Sequence, residues 1–263
     1  MIDYNKILPE KIVSIPKSGI RKYFDMITPD MKDVISLTVG QPDFVTPWHI
    51  REAGIQSLET GKTFYTANAG LMELRCEIDK YMTRRFSLSY DPSSEIIVTV
   101  GGSEAIDIAM RAILDIGDEV IIPTPSFVCY EPLTRMAGAV PVILETYMED
   151  EFRIDPAKLK ALITPKTKMI VLPFPNNPTG AIMTRAELME IADIIKDTNI
   201  IVLSDEIYAE MTYGDRHVSI ASIEGMKERT IVVNGFSKAF AMTGWRLGWV
   251  CAPAPITAQM LKI

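Results

Sequence analysis

Lys238 sits in a small, mostly uncharged segment, Ser237-Lys-Ala-Phe-Ala-Met-Thr-Gly-Trp-Arg246, directly after the apolar run Ile231-Val-Val233. A lysine at the end of a buried strand loses part of its hydration, which lowers its pKa and frees the amine to attack carbonyls. Eight residues on, Arg246 offers a permanent cation whose planar fork suits an oxyanion such as phosphate. Together the two suggest an aldehyde held by its phosphate. A lone lysine or arginine would more simply be a solvated side chain or an ion-pair partner, so three further segments decide the matter.

Val98-Thr-Val-Gly101-Gly102-Ser103-Glu104-Ala-Ile106 reads as a strand, a glycine turn and a helix opening, with Ile106, Met110, Ile113 and Leu114 at helical spacing. Glycines permit close backbone approach, and unpaired N–H groups at a helix start attract phosphate. By itself the signal is weak, since Gly-Gly-Ser before a helix is more often a turn with an N-cap serine. Pro173-Phe-Pro-Asn-Asn177-Pro-Thr-Gly180 follows the strand Met169–Leu172, and its three prolines stiffen a loop able to present an Asn at a fixed angle. Ile200-Ile-Val-Leu-Ser-Asp205-Glu-Ile-Tyr208 ends another strand with an acid and then a phenol. Open α/β sheets bind ligands at that end of a parallel strand, although a lone Asp205 there could simply cap a turn.

In this order the four segments resemble the class I/II aminotransferases, the pyridoxal phosphate (PLP) enzymes that include aspartate and aromatic aminotransferases. Val39-Gly40-Gln-Pro-Asp-Phe44, Tyr65-Thr-Ala-Asn-Ala-Gly70 and Pro125-Ser-Phe127-Val-Cys-Tyr130 add to the likeness, which runs from about Ser18 onward. The resemblance implies that Lys238 carries a Schiff base with the cofactor and shuttles the substrate's proton. It implies that Asp205 pairs with the pyridinium nitrogen, while Tyr208 and Asn177 hydrogen-bond the ring's phenolic oxygen. Gly102, Ser103 and Glu104 (the first and last through backbone N–H), with Ser237 and Arg246, would hold the phosphate. Phe127 would stack on the ring, where the aspartate-specific branch commonly has tryptophan. Gly40, with Phe127 and Asn177, would meet the substrate. Tyr65 would reach the phosphate of a neighbouring subunit, which implies a homodimer with shared active sites. Gly235 stands where many relatives carry a phosphate-contacting Ser or Thr.

The same resemblance implies transamination between an L-amino acid of aspartate or aromatic type and a 2-oxo acid. A carbon–sulfur β-lyase on the same scaffold and a non-catalytic PLP-binding sensor are the alternatives. A sensor of this kind would carry a DNA-binding module upstream, which is not expected here because the sequence starts almost directly at the aminotransferase arm. Relatives continue past Ile263 into a segment with an arginine that clamps the substrate α-carboxylate. The chain is therefore expected to lack the C-terminal small domain, to bind cofactor and to transaminate poorly. Residues 1–45 are expected to be an arm and partial small domain, with 46–263 the PLP-binding large domain. Amino-donor specificity would draw on Phe127 and on the segment Pro16–Arg21.

The elements that must position these groups are legible as seven short apolar runs: Glu95–Val100, Glu119–Ile122, Val140–Leu144, Met169–Leu172, Ile200–Leu203, Thr230–Val233 and Gly248–Cys251. Most are β-branched, nearly continuous, and separated by helical-period segments such as Arg185–Lys196. This is the pattern of an α/β fold with a parallel sheet covered by helices on both faces. The family precedent is a mostly parallel seven-stranded sheet with one antiparallel member. Ile20–Ile27 reads as an amphipathic helix, Ile35–Val39 as a short strand, and Glu145–Arg153 as a solvated acidic loop.

At 263 residues, 48% apolar and 23% charged, the chain can bury one large core. A net charge of -7 without a basic run argues against nucleic-acid binding. Cys76, Cys129 and Cys251 lack paired zinc spacing and read as free buried thiols of a reducing, cytoplasmic compartment. Only His49 and His217 are present, which argues against a histidine-centred metal site or triad. The N-terminus is too polar for a signal peptide, and no apolar run approaches membrane-spanning length.

Overall fold

The computed structural model describes residues 2–17, 19, 26, 28, 31, 34, 35 and 40–263. All seven apolar runs form strands: β1 (Ile96–Thr99), β2 (Glu119–Thr124), β3 (Val140–Glu145), β4 (Thr167–Leu172), β5 (Ile201–Asp205), β6 (Thr230–Gly235) and β7 (Gly248–Cys251). They make one sheet in the order β1-β7-β6-β5-β4-β2-β3. Strands β2 to β6 pair in parallel, and β7 runs antiparallel to both β1 and β6. The expected single antiparallel member is therefore β7. Strands β6 and β7 are buried along their whole length, as central strands covered on both faces must be. On the edge strand β3, Val140 and Ile143 remain exposed.

The α-helices among the described residues are α1 (Glu10–Val13), α2 (Trp48–Glu59), α3 (Met72–Phe86), α4 (Gly102–Ile113), α5 (Tyr130–Met136), α6 (Pro156–Leu162), α7 (Arg185–Ile195) and α8 (Ala254–Met260). Alternation along the strands sends neighbouring side chains to opposite layers. Val120, Ile122, Leu203 and Val233 pack with Ala105, Ile106, Ala109 and Met110 of α4. Ile121, Ile170 and Val202 pack instead with Leu188, Ile191, Ala192 and Ile195 of α7. Val232, Trp249 and Cys251 meet Ile78, Met82 and Phe86 of α3. Helix α7 starts on a capping box, in which Thr184 and Glu187 satisfy each other's backbone N–H groups.

Some expectations need adjustment. Of the cysteines, only Cys251 is fully buried, while Cys76 and Cys129 are half-buried. The acidic stretch Glu145–Arg153 is largely exposed but contains a 3-10 turn at Met148–Asp150, and Arg153 pairs with Glu151 and Glu187. The expected helix Ile20–Ile27 and strand Ile35–Val39 fall mostly outside the described residues, as does Ser18. No helix among the described residues is long and apolar enough to cross a membrane.

Candidate active site

The carboxyl ends of β4, β5 and β6 and the start of α4 converge on a cavity of about 530 Å³. Its floor is Asp205, the last residue of β5 and 7% exposed. Oδ2 accepts a hydrogen bond from the Tyr130 hydroxyl at 2.7 Å, and Oδ1 accepts one from the Ile207 N–H at 3.2 Å. Burial pushes the carboxyl pKa up, the Tyr130 and Ile207 donors pull it down, and the neighbouring Glu206 charge adds to the rise. A carboxylate held dry in this way is an electrostatic receptor for a cation.

Lys238 stands three residues beyond the end of β6. Its Nζ donates to the Gly40 carbonyl at 2.5 Å and lies 5.6 Å from the Tyr208 ring centroid. Burial lowers its pKa, and the nearby Arg246 charge lowers it further, the direction a carbonyl-seeking amine requires. The Tyr208 hydroxyl is pushed up by burial and by the Asp205 charge, against a lowering contact from Asn177. The two asparagines of the proline loop divide their work. Asn176 Oδ1 accepts from the Thr179 N–H and hydroxyl and ties the loop together, while Asn177 faces the cavity.

An anion cradle closes one end. Gly101, at φ 81°, turns the chain from β1 into α4, whose first residues are Gly102 and Ser103. A Cβ on Gly101 would run into the Arg246 guanidinium, so the glycine lets that cation sit against the helix start. A Cβ on Gly248 would lie 2.5 Å from the Gly101 carbonyl carbon and 2.7 Å from the Gly102 nitrogen. Helix N–H groups, the helix dipole, the Ser237 hydroxyl and Arg246 thus share one wall. Helix α2 supports it from behind: Trp245 packs beside Gly54, and its indole N–H donates to Thr46 Oγ1 at 3.2 Å. Thr46 in turn donates to the Ala241 carbonyl at 2.6 Å, pinning the loop that carries Lys238 and Arg246.

Of the residues singled out from the sequence, Gly40, Gly102, Ser103, Phe127, Asn177, Asp205, Tyr208, Ser237, Lys238 and Arg246 line this cavity. Glu104 does not; its carboxylate folds back to accept from the Val100 N–H. Tyr65 is fully exposed and away from the cavity walls of its own chain. The glycine at position 235 has a steric reason, since a Cβ there would lie 3.0 Å from both Gly248 Cα and the Leu247 carbonyl oxygen. Sequence reasoning gave no role to Tyr130, Ile207 or Thr243, all of which line the cavity. The one available signal for Tyr130 is its place three residues after Phe127, whose ring it meets edge-on at 6.1 Å. Among the described residues no cluster of His, Cys, Asp and Glu could hold a metal ion.

Comparison with known proteins bears on this arrangement. The chain is 54% identical over 256 residues to YugH of Bacillus subtilis, covering 97% of this chain and 66% of that protein. An aspartate aminotransferase of Pyrococcus abyssi is 47% identical, with the same coverage of 97% and 66%. An aromatic-amino-acid aminotransferase of Thermococcus litoralis is 42% identical over 97% of this chain and 66% of its own length. Among solved structures, aspartate aminotransferase from Thermus thermophilus with maleate superposes with a TM-score of 0.92 at 39% identity, over 97% of this chain and 67% of that one. The chain thus spans just under two-thirds of the curated relatives it matches, at 66% of their length. The family profile described as aminotransferase class I and II matches residues 32–263, and the chain belongs to that family.

Proposed function

We propose that the chain forms the cofactor-binding part of a pyridoxal phosphate-dependent aminotransferase acting on an aspartate- or aromatic-type amino acid and a 2-oxo acid. The observation that carries this reading is the presence, in one cavity, of a partly desolvated amine at Lys238 and a buried carboxylate at Asp205, beside an anion cradle. The donor set fits the cofactor group by group. Asp205 offers a dry carboxylate to a protonated ring nitrogen, and Gly102, Ser103, Ser237 and Arg246 offer donors and positive charge to a phosphate. Phe127 offers an aromatic face, while Asn177 and Tyr208 offer polar groups to the ring's edge. The relatives named for aspartate and aromatic amino acids support the substrate class.

When bound, pyridoxal phosphate supplies an aldehyde that condenses with amines and a ring that withdraws electrons from the substrate Cα. Lys238 would hold the aldehyde and would take and return the substrate Cα proton at Nζ; its lowered pKa suits both tasks. Asp205 would hold the protonated ring nitrogen. Asn177 and Tyr208 would orient the ring, and the backbone at Gly40 would admit the substrate carboxylate. We place the cofactor-binding domain at residues 46–263 and an arm with part of a second domain at 1–45. The reading also brings a cytoplasmic homodimer in which the exposed Tyr65 reaches its partner's phosphate site.

Titration with pyridoxal phosphate tests the proposal. An absorbance band at the visible edge should form with the chain and be absent in Lys238→Ala. Equal bands in both proteins would sink the assignment. Amino donors then separate the chemistries: a keto acid formed only with a 2-oxo acid acceptor indicates transamination, whereas pyruvate and ammonia from a cysteine-like substrate without acceptor indicate a lyase.

A further inference from the structure

Next to Asp205 lies a second buried carboxylate that the proposed reaction does not use. Glu206 has no exposed surface. Its Oε1 accepts hydrogen bonds from the Ser204 hydroxyl at 3.0 Å and the Ser219 hydroxyl at 2.6 Å. Its Oε2 lies 3.1 Å from His217 Nε2, whose side chain is also buried. Among the described residues neither of those two atoms has a hydrogen-bond partner, which leaves them facing each other. The His217 ring stands edge-on to Phe86 at 5.8 Å, which fixes its position over the carboxylate.

Tyr81, Tyr90, Cys251 and Asp205 all feel Glu206, whose charge pushes each of them toward its protonated form. None can balance an anion. His217 is the one ion-pair partner of Glu206 among the described residues. A buried carboxylate without a countercharge takes up a proton or forces one onto its neighbour. Here the neighbour is the residue on which the cofactor's ring nitrogen depends.

We propose that His217 is a positioning residue of the site: it partners the free oxygen of Glu206, so that Asp205 keeps the negative charge that holds the protonated ring nitrogen. The inference rests on the cofactor reading above. Two serine hydroxyls fix one oxygen of Glu206, leaving the other turned to His217, and the pair acts on Asp205 through one peptide unit. His217 is not among the residues that line the cavity.

The test is a double-mutant cycle on the chain loaded with pyridoxal phosphate whose ring nitrogen is isotopically labelled. Its readouts are the cofactor dissociation constant and the chemical shift of the labelled nitrogen. His217→Gln should weaken binding roughly tenfold, within the range for groups sharing a buried network, and move the nitrogen signal toward its unprotonated position. Glu206→Gln/His217→Gln, which removes the buried carboxylate together with its partner, should return both readouts to the wild-type values. A double variant as impaired as the single one would indicate lost packing and overturn the proposal, as would a folded His217→Gln chain with wild-type readouts. If His217→Gln does not fold, Glu206→Gln alone decides: affinity equal to or above wild type is expected, and weaker binding overturns the proposal. A wild-type chain that binds no cofactor would overturn the proposed function as well, whereas the preceding failures count against His217 alone.

Discussion

The Tyr130 hydroxyl donates to Asp205 Oδ2 at 2.7 Å, both groups being buried, so the first residue of α5 aims the carboxylate that ends β5. Removing the hydroxyl leaves that oxygen without its donor at a buried position. A hydrogen bond to a charged group contributes about 1.5–3 kcal/mol. Tyr130→Phe should therefore raise the Asp205 pKa and weaken pyridoxal phosphate binding roughly ten- to hundredfold. Calorimetric titration measures this directly, and an unchanged dissociation constant would mean that Ile207 alone suffices to orient Asp205.

Gly248 and Gly244 lie four residues apart yet should respond in opposite ways to alanine. At Gly248 a Cβ would press on the backbone of Gly101 and Gly102, whereas at Gly244 it would meet nothing within 4 Å. Gly248→Ala must drive β7 away from the start of α4, costing about 1–3 kcal/mol of stability as other overpacked sites do. It should also weaken the affinity for inorganic phosphate. Gly244→Ala should leave stability unchanged or raise it by up to about 1 kcal/mol, by restricting the unfolded chain. Thermal melts of the two variants with and without phosphate separate the cases. Equal melting temperatures would remove the steric argument for the cradle.

The strands were legible because strands buried on both faces read as unbroken apolar runs, and Thr230–Val233 or Gly248–Cys251 needed no partner to be recognised. Their ends were less so. β5 extends to Asp205 and β6 to Gly235, since ladder hydrogen bonds continue whatever the side chain is. Lys238, Asp205 and Asn177 stood out as polar residues at strand ends. Tyr130 did not, because its partner is 75 positions away and no local period connects them. The pairing of Glu206 with His217 was equally silent: it spans a loop, and two polar residues at that spacing look like any solvated pair. Tyr65, read from the sequence as a contact to another subunit, has no partner that one chain could display.

Lys238 places a pH signature on stability. Burial holds its folded pKa below the ordinary 10.5. The unfolded chain then binds more protons between those two values, so stability from this group rises as pH climbs through the folded pKa toward 10.5. Below that window the charged amine is a fixed liability. Lys238→Met should stabilise the cofactor-free chain near neutral pH by less than about 1 kcal/mol, given the group's partial exposure, with the advantage fading as the solution becomes alkaline. Melting temperatures of the two proteins across that range test it; a gap that widens with pH would contradict the sign.

Asp205 carries the same conflict with the opposite pH dependence. Its folded pKa lies above the ordinary 3.8 because burial penalises the anion. The folded chain therefore binds more protons than the unfolded one between 3.8 and the raised value, and stability falls as pH rises through that window. Above it the full penalty persists, offset only when a cation arrives. Asp205→Asn keeps the shape and removes the charge, so at neutral pH the cofactor-free variant should melt higher than wild type. The two should converge as the pH drops below 3.8, where the native side chain is neutral in both states. Added pyridoxal phosphate should reverse the order, raising the melting temperature of the wild type and leaving the variant nearly unmoved. An Asp205→Asn chain stabilised by cofactor as strongly as wild type would show that the buried charge serves some other partner.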